Sequence, residues 1–368
     1  DAYKALVEWI PNARSQYASS RNYDIGKNTT SRLSSFISSG LLSEEDIIQC
    51  ANDIGIPSKN NKFLEEIFWR IYFRGFLENR PSIWNSYISD LKKLDDQKNK
   101  LDYENAISAR TGIECFDDWT VQLNDTGYLH NHTRMWYASI WIHTLGLPWQ
   151  LGANFFMKHL LDGDPASNTL SWRWVAGLQT KGKSYLASYS NISKFTDNRF
   201  NHDGNIQLSP IAKESEFIEY KANSKKFTEY NDSDSNKITG VVITSEDLDI
   251  TSCSKIKLPD FIYLLPFTEE ESVLYSENVK QFKSKLCDEM SSGLSSSTIN
   301  LTTHESSSIL EWATKHKIER IITLATPSGY INDHLMSIKN DLKANSIELV
   351  KVFRDYDMQY WNYASKGF

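Results

Sequence analysis

Four side chains stand close together between positions 162 and 172: Asp162, Asp164, Asn168 and Trp172. Asp164 precedes Pro165, the pattern of an N-cap followed by proline in the first helical turn. From that cap Asn168 and Trp172 recur at four-residue steps, so a carboxylate, an amide and an indole share one helix face. Such a face suits a flat ring with polar edges. On spacing alone, an amphipathic core helix with a good cap accounts for it at least as well. A second group is Thr30, Ser31, Arg32, Leu33 and Ser34. Hydroxyls and backbone N–H groups opening a helix make a phosphate cradle, although an ordinary capped helix uses the same residues. A third is Glu66, Trp69 and Arg70, at i, i+3 and i+4 on one surface. Its plain reading is a Glu–Arg helix pair beside a core Trp.

These residues need elements to hold them. The 368 residues suggest two domains. Residues 1–205 read as helical, with helices and a polar connection over 1–50 and a helix over 61–79 that is apolar nearly all round and therefore buried. Residues 80–110, with the charge run from Lys92 to Lys100, read as a surface connection. Residues 206–237 read as a polar linker. Beyond it, ITGVVIT, FIYLLPF, RIITLAT and IELVKVF are short apolar runs typical of buried parallel strands, alternating with helical segments. The pattern predicts a smaller α/β domain over 238–368, with any ligand in the loops after its strands. It carries no GxGxxG or P-loop. Tyr360, Trp361 and Tyr363 read as packing residues.

Composition bounds the function. Hydrophobic content is 40% and mean hydropathy −0.48, ordinary for a globular protein, and no apolar run could cross a bilayer. There is no signal-peptide pattern, although the chain starts at Asp1. Net charge is −7 with a pI near 5.7, which counts against a nucleic-acid partner but leaves room for a local basic patch. Cys50, Cys115, Cys253 and Cys287 form no CxxC pair and read as reduced thiols, which implies a cytoplasmic protein. The histidines lack metal spacing, so no metal site is expected. A monomer is expected.

The motifs resemble the flavin-binding domain of DNA photolyases and cryptochromes over about residues 1–205. The central match is Thr126, Gly127, His130, Asn131, Arg134 and Met135, followed by Asp162, Gly163, Asp164, Ala166, Asn168, Trp172 and Trp174. The resemblance implies an all-helical FAD-binding domain. It places Thr30, Ser31, Leu33, Ser34 and Tyr17 on the pyrophosphate, and Asn131, Arg134, Asp162, Asp164 and Asn168 around the isoalloxazine, with Asn168 facing flavin N5. It implies that Glu66 and Trp69 line a lesion pocket, with Met135 and Trp174 alongside. A flipped pyrimidine pair is apolar on its face and polar on its edge, so an aromatic beside a carboxyl suits it. Asn131 and Met135 stand where enzymes acting on (6-4) photoproducts carry His. Trp172 and Trp149 fill the inner positions of the family's electron-transfer chain; Trp84, Trp141 and Tyr103 stay open for the outermost. Arg70, His132, Lys181, Lys183 and Arg199 are the candidate DNA contacts, His132 replacing a common Arg.

The sequence departs from the family at Glu114, where a Pro is usual, and at Trp119, where a small residue is usual. The 238–368 segment is loosely similar to the family's antenna domain, but follows the flavin domain instead of preceding it. It is also shortened, which argues against a bound antenna pigment. The implied activity is light-driven repair of cyclobutane pyrimidine dimers in damaged DNA, a carbon–carbon lyase reaction with reduced FAD. The alternative is a cryptochrome-like blue-light receptor without repair.

Overall fold

The helix Lys62–Asn79 is the element on which the others pack. Asn61 caps it, its Oδ1 accepting the N–H groups of Phe63 and Leu64 at 3.1 and 3.2 Å. Phe63, Leu64, Ile67, Ile71 and Leu77 are buried along it, and so are Arg74 and Gly75. It stops at Arg80, and Pro81 opens the next helix, Pro81–Lys93. The computed structural model describes residues 2–26, 29–57, 59–180, 183–200, 218–223, 236–294, 300–303 and 308–365.

Residues 80–110 are not the surface connection that their polarity suggests. Pro81–Lys93 and Leu101–Ile107 are helices, and the first buries Ile83, Trp84 and Tyr87. Charge on one face hid three large apolar side chains at helical spacing on the other. The helices Glu114–Thr126, Asn131–Ser139, Trp149–His159 and Pro165–Val175 complete the helical part around an aromatic-rich core, and the N-terminal helices form a second cluster around Leu6, Ile47 and Leu64. Asn131–Ser139 runs on into a π turn, Ile140–Thr144, that carries Trp141. Trp119, out of pattern in the sequence, is fully buried and stacks on Trp136 at 5.6 Å.

The C-terminal part is a five-stranded parallel sheet of β1 (Thr239–Thr244), β2 (Phe261–Leu265), β3 (Asn300–Thr303), β4 (Arg320–Leu324) and β5 (Glu348–Val352), in the order β3-β2-β1-β4-β5. Val241 and Ile243 point to one face and Val242 to the other, and both faces are covered, which is why these strands read as unbroken apolar runs. Asn300–Thr303 lacks such a run and was not legible as a strand.

The order of connection reverses between β1 and β4, so the crevice beyond their C-terminal ends is where such a sheet takes a ligand. Here the helical part fills it. Glu246, Pro327 and Ser328 face Arg70, Arg74, Asp164 and Pro165, leaving only about 10 Å³, room for one water. The last helix, Asp355–Trp361, lies along Lys62–Asn79. Trp361 is fully buried and its carbonyl accepts from Asn79 Nδ2 at 2.8 Å. Tyr363, read as a packing residue, is instead 78% exposed; Tyr360 rests on Phe68.

Gly75 permits this docking. A Cβ there would come within 2.8–2.9 Å of the Trp361 ring and backbone, and backbone cannot swing aside. Gly75→Val should therefore destabilise the protein by about 1–3 kcal/mol through overpacking, more than the few tenths by which valine is the better helix former. An unchanged urea midpoint would refute this account of the contact.

Candidate functional site

Asp164 caps Pro165–Val175 by accepting the Ser167 N–H at 2.8 Å, and the helix then turns Asn168 and Trp172 inward. Asn168 donates to the Ala153 carbonyl at 2.8 Å. Trp172 lies against Gly152, where a Cβ would come within 2.3 Å of its ring, so only glycine fits. The Trp172 indole N–H is buried without a partner. Asp164 was expected to hold the cofactor, but its other oxygen accepts from Arg70, so both oxygens are engaged within the chain. Burial raises its carboxyl, and Arg70, Arg74 and the Ser167 N–H outweigh that and hold it below the usual range.

Asp162 is placed differently. One oxygen accepts from Arg134 Nη2 at 2.8 Å, and the other is buried with no partner. Arg134 also donates Nε to the Leu129 carbonyl, and its guanidinium lies 5.6 Å from the Tyr128 ring. On the same ring sits Arg32, at 5.4 Å, and the Tyr128 hydroxyl meets Thr30 Oγ1 at 3.1 Å. Arg32 has a left-handed φ of 54°, and Ser31 Oγ accepts the Leu33 N–H. Leu33 is buried and Ser34 opens a single helical turn, Ser34–Ser38. Tyr17 packs on Trp9 and Phe63, and burial raises its hydroxyl pKa.

His130 joins this group. Its Nδ1 accepts the His132 N–H at 3.2 Å, which leaves Nε2 as a buried donor without a partner. An open acceptor on Asp162, an open donor on His130, two guanidiniums and a run of hydroxyls form a set that fits a ring with polar edges joined to phosphates. Arg32 was named only as part of the hydroxyl-rich group and His130 only as part of the central match, neither with a role, and Tyr128 was not named. Their one sequence signal was position inside the matched motifs, since they come together across about 100 residues.

The next surface carries Glu66 and Trp69. Glu66 accepts from Arg21 Nη1 at 2.6 Å, and burial raises its carboxyl against that pull. Trp69 packs on Tyr72 and Phe73 of its own helix. Trp174 stacks on Tyr185 at 5.7 Å, whose hydroxyl meets His132 Nε2 at 3.3 Å. Met135 is half-buried and Asn131 exposed at the start of their helix.

The candidate DNA contacts divide. Arg70 is half-buried, its side chain 14% exposed, and its guanidinium is turned inward by the carboxylates of Glu44 and Asp164. His132 stacks on Trp136 at 4.1 Å with both ring nitrogens bonded, Nδ1 to the Asn22 carbonyl at 3.0 Å. Arg199 pairs with Asp24 at 3.1 Å but stays 40% exposed, and Lys183 is exposed. Lys181 lies outside the described residues.

Aromatic contacts lead away from Trp172. Trp141 meets it at 6.1 Å and Tyr103 meets Trp141 at 5.9 Å. Trp149 stacks on Tyr87 at 5.4 Å, and Tyr87 meets Trp84 at 5.4 Å. Of the three residues left open for the outermost position, Trp141 and Tyr103 thus connect ring by ring to Trp172, whereas Trp84 joins a separate run of rings through Tyr87 to Trp149.

The model of the FAD binding domain of DNA photolyase matches residues 63–206. The deoxyribodipyrimidine photo-lyase of Escherichia coli is 28% identical over 212 residues, 55% of this chain and 44% of that protein. That of Streptomyces griseus is 31% identical over 179 residues, 48% and 38% of the two chains. A bacterial class III photolyase structure from Agrobacterium tumefaciens aligns with a TM-score of 0.46 at 28% identity, covering 53% of this chain and 42% of that one. The chain spans less than half the length of these relatives. Residues 63–206 are thus similar to the FAD-binding domain of DNA photolyases. Thr30–Ser34 precede the matched residues. Among the described residues no helix is long and apolar enough to cross a membrane.

Asp162→Asn removes the charge that holds Arg134 and should weaken FAD retention about tenfold or more, as should Arg32→Ala. Flavin absorbance after dialysis measures this; undiminished flavin in both variants would refute the assignment. Burial lowers His130 from 6.5 to about 4 despite the opposing charge of Asp24, so it is neutral in the fold. A depressed folded pKa means that its contribution is intact above pH 6.5 and is lost as pH falls towards 4. Between pH 7 and 4.5 the native chain should lose roughly 2–3 kcal/mol more than His130→Asn, whose amide can still cap the His132 N–H. Equal losses in urea titrations would overturn this.

Proposed function

We propose that this chain, whose residues 63–206 are similar to the FAD-binding domain of DNA photolyases, is a light-dependent flavoprotein that splits cyclobutane pyrimidine dimers in DNA. The reading rests above all on Glu66 and Trp69 at i and i+3 on the half-exposed face of Lys62–Asn79, the carboxyl raised by burial. Reduced FAD supplies the photochemistry, absorbing blue or near-ultraviolet light and lending one electron that is later returned. The chain's own work is binding, orientation and exclusion of water.

Thr30, Ser31, Ser34 and Tyr17 would hold the pyrophosphate, with the Leu33 backbone and Arg32 beside them. Asn131, Arg134, Asp162 and Asn168 would surround the ring; Asp164 acts through the cap and through Arg70. Trp69 and Trp174 would wall the flipped bases, with Met135 alongside. Glu66, its carboxyl raised by burial and bonded by Arg21, would meet the lesion's polar edge as negative charge builds there. Trp172, with Trp149 or Trp141, would carry electrons inward from the surface towards the bound ring. Lys183 and Arg199, with Lys181, are the cations left to meet the DNA backbone.

The second reading is a blue-light receptor with the same cofactor and no repair. It is favoured by the inward commitment of Arg70 and His132, which leaves a thin cationic surface on a chain of net charge −7. Illuminating the reduced protein with a thymine-dimer oligonucleotide separates the two. Repair by the native chain, reduced at least about tenfold in Glu66→Ala and Trp69→Ala, is the expected result. Full flavin occupancy and photoreduction without repair on single- or double-stranded DNA would favour the receptor.

A further inference from the structure

One residue beyond Trp172, Arg173 points into a different space. The side chain is 5% exposed, yet no carboxylate among the described residues pairs with it. Its Nη2 donates to the Leu178 carbonyl at 3.2 Å and its Nε has no partner. A buried guanidinium without a counter-ion is costly, and burial pushes its pKa below the ordinary value although Tyr220 opposes this. Rings compensate in part: the guanidinium lies 5.9 Å from the Trp149 ring centre and 5.1 Å from that of Tyr220.

The space it faces is a cleft of about 270 Å³, near the lower end of the range for small-molecule sites. Trp149 and Tyr87, stacked at an interplanar angle of 26°, line one wall, while Leu178 and Ile218 add apolar surface. The strand of chain bearing Tyr220 is pinned in place. Arg80 Nε donates to the Tyr220 carbonyl at 3.0 Å, and the Asn223 N–H donates to the Asn79 carbonyl at 2.7 Å. The cleft is thus preformed. Asp90 also lines it, its carboxylate paired with Lys93 at 2.9 Å.

We propose that this cleft binds a planar aromatic monocarboxylate, its ring against Trp149 and Tyr87 and its carboxylate beside the Arg173 guanidinium. The buried cation asks for an anion, and the flat walls ask for an aromatic ring. Asp90 disfavours a more highly charged anion such as a phosphate ester. The site is separate from the residues assigned to FAD, and its test needs neither light nor DNA.

The test is calorimetric titration of 2-naphthoate into the flavin-loaded full chain. Saturable binding at one equivalent is expected, at least about tenfold weaker in Arg173→Met and tighter in Asp90→Asn, with the uncharged 2-naphthalenemethanol about tenfold weaker than the acid. Should Arg173→Met fail to fold, Asp90→Asn and the neutral analogue carry the test. No binding, affinity indifferent to the analogue's charge and to both substitutions, or release of flavin on titration would overturn the proposal.

Discussion

Two arginines one turn apart, Arg70 and Arg74, fix the geometry of this protein. Both point from Lys62–Asn79 towards Glu44, Arg70 Nε at 3.0 Å and Arg74 Nη1 at 3.7 Å, and Arg70 also bridges to Asp164. Glu44 is 2% exposed, so burial alone would protonate it, yet the two guanidiniums hold its carboxyl below the usual range. An uncompensated charge in such a place costs several kcal/mol, a large fraction of a domain's stability. The helices Glu44–Asp53, Lys62–Asn79 and Pro165–Val175 are therefore held in one arrangement. That arrangement fixes Glu66 and Trp69 on the half-exposed surface beside the two arginines.

The same cluster joins the helical part to the sheet. Beyond Arg74 lie Asp357 on the last helix and Glu246 after β1, whose carboxyls burial raises to about 7 and about 8. Arg354 closes the far side, bonding Asp247 at 2.8 Å through Nη2 and at 3.1 Å through Nε. The crevice at the switch point of the parallel sheet is thus occupied by side chains and by Pro165. The cap residue Asp164 has one oxygen on its own helix, Pro165–Val175, and the other on the Arg70 bridge to this interface, so the helix that presents Asn168 and Trp172 is positioned by the sheet as well as by its helical neighbours.

Much of this was legible in the chain. The cap before Pro165 and its inward Asn168 and Trp172 follow from residue type and a four-residue step, and four of the strands follow from unbroken apolar runs between turns. The helix over 61–79 was legible as well, because local pattern and burial agree there. Residues 80–110 misled because their polar face outnumbers the buried one, and Asn300–Thr303 because an edge strand needs no long apolar run.

Residue types and spacing alone therefore determined four of the five strands, the helix over 61–79, the flavin-type motifs and the presence of a Glu–Trp pair on one face. Tertiary structure alone decided where the long cations go. Arg70 turns inward because Glu44 and Asp164, 26 and 94 positions away, supply the carboxylates. His132 is half-buried with Asn22 and Tyr185 on its two nitrogens, and Arg173 lines a cleft with no carboxylate among the described residues paired to it. A flexible charged side chain is directed by partners in space, and no periodicity in the sequence records where those partners lie.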